Sequence, residues 1–167
     1  MCGKVFGTQR DEGAQAPVVQ SFVSTIVNKL DAKGRVSFPA PFRQILAQQN
    51  LRGVYVIPSF VSPALEAFGQ TLLDDFETRL GASDPLFSAD YDAQAQAVVG
   101  ETQFLNFDDE GRARLPDEFL AHAGITERVL FVGMIRKFQI WDPVRFEPVR
   151  QERIARARAL RIGGDSQ

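Results

Sequence analysis

The strongest constraint on this chain is a repeat. Residues 30–42 read LDAKGRVSFPAPF and residues 107–119 read FDDEGRARLPDEF, at a constant offset of 77 residues with no gap. Five identities fall in register: Asp31/Asp108, Gly34/Gly111, Arg35/Arg112, Pro39/Pro116 and Phe42/Phe119. Apolar character is kept at Leu30/Phe107 and Phe38/Leu115, and the same offset sets residues 54–57 against 131–134. So many matches in one register describe two copies of one supersecondary unit. A single short copy leaves strand edges open, whereas two copies can pair their hairpins and close a small barrel. The repeat therefore predicts one pseudo-twofold domain.

Each copy follows the same plan. A strand comes first, over 24–30 or 102–107; in the first copy Thr25, Val27 and Lys29 alternate with Ile26, Asn28 and Leu30. A tight turn follows, with Gly34 or Gly111 free to take the left-handed backbone a hairpin demands. A short strand returns over 35–38 or 112–115, and a proline in the first turn opens a helix over 39–47 or 116–123. The β-rich segments GVYVI and RVLFVGMI come next, then strands over 65–68 and 138–141. Mixed short strands and helices make the chain α+β. Between the copies, Leu72, Leu73, Phe76 and Leu80 recur at helical spacing. Asp84-Pro85 reads as an N-cap and first-turn proline, starting a second helix through about residue 99. Residues 143–162 read as a last helix. The expected division is an extension with no pattern over 1–20, a first repeat over 24–71, a helical connector over 72–101, a second repeat over 102–145, and a helix and tail over 146–167, the two ends being mobile.

Composition narrows the function. At 167 residues, 44% apolar and 24% charged, the chain is globular. Its longest apolar run, 129–135, is far below the ~20 residues of a membrane-spanning helix. The opening MCGKVFGTQRDEG holds no apolar stretch of the secretory kind. Cys2 is the only cysteine, which excludes an intramolecular disulfide and a Cys-based zinc site. His122 is the only histidine, so a Ser-His-Asp hydrolase would hang on that one ring. These features predict a cytoplasmic protein with no catalytic residues, metal, cofactor or small-molecule substrate. The formal charge of -2 decides nothing about nucleic acid, because local patches outweigh the sum. Arginine greatly outnumbers lysine, and arginine suits bidentate contacts to phosphate and guanine.

The repeated polar motif is Asp-x-x-x-Arg, at Asp31/Arg35 and Asp108/Arg112. Two readings are open: a turn closed by its own salt bridge, or a hairpin presenting arginine to a partner. Local charge favours the second reading in the first copy. There Lys29, Lys33 and Arg35 oppose only Asp31, while Arg112 and Arg114 face Asp108, Asp109 and Glu110. A phosphate backbone would prefer the first turn. The last helix carries Arg145, Arg150, Arg153, Arg156, Arg158 and Arg161, scattered around its circumference as on a solvated surface.

LDAKGRVSFPAPFR, then FDDEGRARLP, then VLFVGMIRKFQIWDP resemble the MraZ family of bacterial transcriptional regulators, in order, over about residues 24–150. The resemblance implies two tandem AbrB-like repeats forming a mainly β, double-split (swapped-hairpin) barrel, with short helices and a C-terminal helix. It implies a repressor of its own promoter and of the downstream division and cell-wall gene cluster, bound to repeated boxes of double-stranded DNA, nucleoid-associated, and assembled as a ring homo-oligomer. The DNA contacts carried over are Arg35, Lys33 and Gly34, with Arg112 in the second copy, and local charge adds Lys29 and Arg114 to the expected DNA-binding residues. Asp31, Asp108 and Gly111 would orient the turns. Two departures stand out: the residues before Ser21 have no counterpart in a typical member, and the second turn is acidic. The alternatives are a ring-forming protein-interaction adaptor and an enzyme using Asp108, Asp109 and Glu110.

Overall fold

The first strand of each copy pairs with the other copy. In the computed structural model, which describes residues 21–81 and 84–163, β1 (Thr25–Lys29) lies antiparallel to β7 (Arg128–Gly133). Its counterpart β5 (Gln103–Asn106) lies antiparallel to β3 (Gly53–Pro58). The remaining strands, β4 (Leu65–Phe68) and β8 (Phe138–Trp141), have the bounds expected for them and join the two halves, giving the order β1-β7-β8-β4-β3-β5. The returning strands β2 (Arg35–Ser37) and β6 (Arg112–Arg114) form a separate two-stranded ribbon with each other.

This pairing corrects two expectations. Within a copy, the returning strand does not form a ladder with the strand before it; the Asp31 N–H donates to the Arg35 carbonyl (2.8 Å) and the Asn28 Nδ2 to the Ser37 carbonyl (2.6 Å). Nor do the strands close into a barrel: β1 and β5 end the six-stranded order, and the ribbon stands apart from it. The ribbon strands are short: Pro39 and Pro116 lie two residues beyond Ser37 and Arg114 and carry no N–H to lengthen them.

Those prolines occupy the N-cap positions of α1 (Ala40–Gln48) and α4 (Asp117–Ala123), one residue before the helical turn predicted for them. The two helices end alike. Asn50 (φ 61°) and Gly124 (φ 63°) are left-handed, and the next residues, Leu51 and Ile125, donate back to the carbonyls of Leu46 and Leu120. This is the Schellman closure that glycine and asparagine favour. Because α4 is shorter, the 77-residue offset does not survive it. Ile26 faces Phe131, while its counterpart Gln103 faces Val56, so Val56 corresponds to Phe131 at an offset of 75. A slip of two residues keeps the same side chains inward, which is why the apolar match is visible in either register.

Both copies fill one core. Val36, Phe38, Phe42 and Leu46 from the first pack with Ala113, Leu115, Phe119 and Phe131 from the second. Phe42 lies 5.4 Å from Phe22 and 4.8 Å from Phe138, and Phe38 lies 5.1 Å from Phe131, tilted or edge-on as aromatic rings prefer. Single truncations here remove both transfer energy and packing, on the order of 3–5 kcal/mol for a buried Phe.

The connector holds α2 (Gln70–Leu80) and α3 (Ala89–Ala95), the latter continued by a π-helical turn, Gln96–Gly100. The second helix starts later than Asp84-Pro85 suggests. Ser88 is its N-cap, with Oγ accepting from the Tyr91 N–H (3.1 Å). Asp84 Oδ1 instead accepts from the Leu86 N–H (2.9 Å), closing a turn before the helix. The last helix, α5 (Pro143–Gly163), seats Phe146 against Trp141, 5.2 Å between ring centres. The extension over 1–20, with Cys2, and the final residues 164–167 lie outside the described residues.

Candidate nucleic-acid interface

Each Asp-x-x-x-Arg motif builds its own turn. Asp31 Oδ1 accepts from the backbone N–H groups of Lys33 (2.9 Å) and Arg35 (2.8 Å), and Oδ2 accepts from Arg35 Nε (2.8 Å). Asp108 repeats the pattern: Oδ1 accepts from Glu110 (3.0 Å) and Arg112 (2.9 Å), Oδ2 from Arg112 Nε (3.0 Å). Gly34 and Gly111 both sit at φ 76° and donate to the Asp31 and Asp108 carbonyls (3.1 and 3.0 Å). Both carboxyls are held below the ordinary aspartate range. The backbone N–H of Arg35 or Arg112 is the main cause, opposed by partial desolvation and reinforced by the guanidinium hydrogen bond.

The two motifs then meet on one surface. Arg35 pairs with Arg114, Val36 with Ala113 and Ser37 with Arg112. Side chains alternate across a strand, so Val36 and Ala113 enter the core while Arg35, Ser37, Arg112 and Arg114 share the outer face. Two further backbone bonds, Phe38 N to the Gly111 carbonyl (3.1 Å) and Leu115 N to the Gly34 carbonyl (2.9 Å), seat each turn at the opposite end of the ribbon. The first turn lies beside Leu115 and the start of α4, the second beside Phe38 and the start of α1.

The ends differ in charge. At the first, Lys33 is exposed and Arg35 uses Nε on Asp31, leaving its Nη atoms with no partner among the described residues. Arg114 is 66% exposed, with only a 3.9 Å approach to Asp117. Lys29 is exposed on β1 directly opposite Arg128 of β7. At the second end, Lys33 is replaced by Glu110, and Glu110 Oε2 takes Arg112 Nη2 at 3.2 Å. Arg112 is accordingly more basic than a free arginine, first through its hydrogen bond to Asp108 and then through the charges of Asp108 and Glu110. Arg43 of α1 also belongs here: its Nε donates to the Phe38 carbonyl (3.0 Å) and its guanidinium lies over Gly111.

The sequence alone singles out neither Arg43 nor Arg128. The repeat pairs Arg43 with Leu120, so nothing repeated marks it, and Arg128 joins Lys29 only through strand pairing. A third arginine, expected on a solvated surface, has a different place. Arg153 of α5 donates to Gln139 Oε1 (3.0 Å) and lies 5.5 Å from the Trp141 ring centre. Gln139 is buried and also takes the Trp141 Nε1 hydrogen (3.0 Å), while its Nε2 donates to Glu66 (2.8 Å), which pairs with Lys137 (2.9 Å). This network fastens α5 to the sheet and is separate from the ribbon. His122 is exposed on α4. Among the described residues no three His, Cys, Asp or Glu side chains are grouped to hold a metal ion, and no helix is long and apolar enough to cross a membrane.

Comparison with known proteins identifies the lineage of this arrangement. The family model described as "MraZ protein, putative antitoxin-like" matches residues 98–160, the second copy and most of α5. The protein named transcriptional regulator MraZ of Xanthobacter autotrophicus is 44% identical over 140 residues, 84% of this chain and 88% of its own length. That of Methylocella silvestris is 43% identical over 143 residues (86% and 87%), and that of Beijerinckia indica 43% over 140 (84% and 85%). Alignments of this length take in both copies, the ribbon and the turns that flank it. The chain belongs to the MraZ family.

Proposed function

We propose that this chain regulates transcription by binding double-stranded DNA with the outer face of the β2–β6 ribbon, led by the Asp31–Arg35 turn. One observation carries the reading: cross-copy pairing gathers Arg35, Arg112 and Arg114 on one outer face, with Lys33 and Lys29 at the end where Arg35 keeps free donors. A two-stranded ribbon fits the major groove, where a guanidinium can bridge guanine O6 and N7 and a lysine can meet phosphate. Gly34 lets the chain turn close beneath those side chains, and Asp31 fixes both backbone and guanidinium instead of meeting the polyanion itself. Arg112 and Arg114 are secondary contacts, and Asp108 with Gly111 orients the second turn.

The relatives' names support a regulator, and the resemblance to the family supports repression of its own promoter and of the downstream division and cell-wall genes, by a nucleoid-associated ring homo-oligomer. The exchange of β1 and β5 between the copies supports a swapped-hairpin reading of the fold in which 24–71 and 102–145 are the two repeats. Phe60, Val61, Leu86 and Phe87 are each more than 70% exposed, which supports self-association through the loops that carry them. A ring would set several ribbons on repeated DNA boxes and multiply weak single contacts. The test is a mobility shift with the chain's own upstream DNA against unrelated DNA, across a salt series. Specific binding that weakens steeply with salt is expected. Equal, weak binding to both would refute sequence-specific regulation and favour the adaptor, and monomer alone by light scattering would remove the ring.

A further inference from the structure

We infer that Glu110 biases the ribbon toward one end, weakening Arg112 as a contact to DNA and leaving the Asp31–Arg35 end to lead the reading. The inference deepens the proposed function and rests on it. The two turns are the same device: the same φ at Gly34 and Gly111, the same three hydrogen bonds to the aspartate, the same Nε clasp. Backbone geometry therefore cannot make one end differ from the other. What differs are the second and third residues of the turn, Ala32 and Lys33 in one copy and Asp109 and Glu110 in the other, and of the two acidic residues only Glu110 reaches the arginine.

The third position matters in two ways. Lys33 adds a positive charge at the tip of its turn and leaves the Nη atoms of Arg35 without an acidic neighbour in the turn besides Asp31. Glu110 adds a negative charge at the equivalent tip and occupies Arg112 Nη2 (3.2 Å), so that Arg112 has Asp108 on one edge and Glu110 on another. Glu110 is itself 72% exposed, so its pairing with Arg112 is weak in water and strengthens nothing in the fold. Its effect falls on an approaching phosphate, which meets a carboxylate before it meets the guanidinium. The exposed Asp109 adds to that repulsion but holds no donor of the arginine. A ribbon with both ends open would track DNA in either orientation. A ribbon closed at one end fixes its direction, and adjacent ribbons in an assembly then address boxes of one polarity.

The experiment reads DNA affinity and its salt dependence for full-length Glu110→Lys and Glu110→Ala, by fluorescence anisotropy on upstream and unrelated duplexes. Glu77→Lys, an equal charge change on the exposed face of α2, is the control. Glu110→Lys should bind both duplexes more tightly and narrow the preference for upstream DNA. Each further phosphate neutralised should steepen the slope of log K against log salt by about 0.9. Glu110→Ala should show a smaller rise in affinity, and adding Arg112→Ala to Glu110→Lys should remove most of the rise. A rise matched by Glu77→Lys, or one that survives Arg112→Ala intact, overturns the inference, as does unchanged binding by Glu110→Lys. Failure of the underlying reading looks different: the wild type then shows no specific binding for Arg35→Ala to abolish, and the inference falls with it.

Discussion

Gly34 and Gly111 share a backbone conformation but not an environment, and alanine at each should separate the two contributions. Both have φ 76°, where an L side chain costs roughly 1–2 kcal/mol. At Gly34 a new Cβ would lie 3.7 Å from the Leu115 carbonyl oxygen and 3.8 Å from Arg114 Cγ, which is ordinary contact. Strain is then the whole cost. At Gly111 the Cβ would come within 2.6 Å of Arg43 Nε and Nη1, so the guanidinium must move and give up its 3.0 Å bond to the Phe38 carbonyl. Arg43 is only half-buried and recovers water, so losing that bond adds about 1 kcal/mol. Gly34→Ala should therefore cost roughly 1–2 kcal/mol and Gly111→Ala about 1 kcal/mol more, a further fall in melting temperature of about 2–4 °C for a chain of this size. The assay is thermal unfolding by circular dichroism at one fixed protein concentration, with both alanines repeated in an Arg43→Ala background. There the two glycine substitutions should become equal. Equal shifts in the wild-type background, or a difference that persists without Arg43, would refute the argument.

Three other outcomes are expected. Arg35→Ala should lose on the order of 1–3 kcal/mol of specific DNA binding per site with the fold largely intact and only a small fall in the melt from the lost clasp on Asp31, and Arg112→Ala should lose less binding; a mobility shift in which Arg112→Ala alone loses binding inverts the assignment of the two ends. Asp31 and Asp108 titrate below their ordinary value of 3.8 when folded, so the stability they add is complete above that value and drains away as pH falls through the lowered folded values. Acid unfolding should be shallower below about pH 4 in the double variant Asp31→Asn, Asp108→Asn, and an unaltered pH profile would count against the turn hydrogen bonds. Arg153→Ala removes both the donor to Gln139 and the cation over Trp141, the only tryptophan, and should cost about 1–2 kcal/mol while changing the emission of that ring. An emission spectrum identical to that of the wild type would separate Arg153 from Trp141.

The elements themselves are legible because their signals are local. Alternation over Thr25–Lys29, prolines at 39 and 116, and helical spacing through Leu80 each depend on neighbours in the chain. What the sequence hides is pairing. A strand followed by a glycine turn and a returning strand reads as a hairpin, yet the ladder partner of β2 lies 77 residues away. No local pattern distinguishes a strand that folds back from one that crosses over, since both need the same turn and the same alternation. The late start of α3 has another cause: Asp84-Pro85 and Ser88 both carry start signals, and a bond from Ser88 Oγ to Tyr91 fixes the later one.

The site shows the same division between local and non-local information. Both readings of the Asp-x-x-x-Arg motif are compatible, because an arginine has more than one edge. Nε closes the turn on the aspartate in both copies; both Nη atoms remain available in the first, while Nη2 is taken by Glu110 in the second. Counting local charge finds a basic turn and an acidic turn and treats them as separate objects. Joined as one ribbon they become the two ends of a dipolar surface, with Arg35 and Arg114 side by side near one end and Glu110 at the other. Two arginines on directly paired residues repel each other, which a sheet avoids unless a counter-charge lies across them. Asp31 and Asp117 supply part of it, at 2.8 and 3.9 Å, and both lie to the side of the ribbon. In the proposed function the outward approach to Arg35 and Arg114 is left to a polyanion, whose binding would relieve the repulsion and would give the exposed ribbon a reason to carry paired arginines.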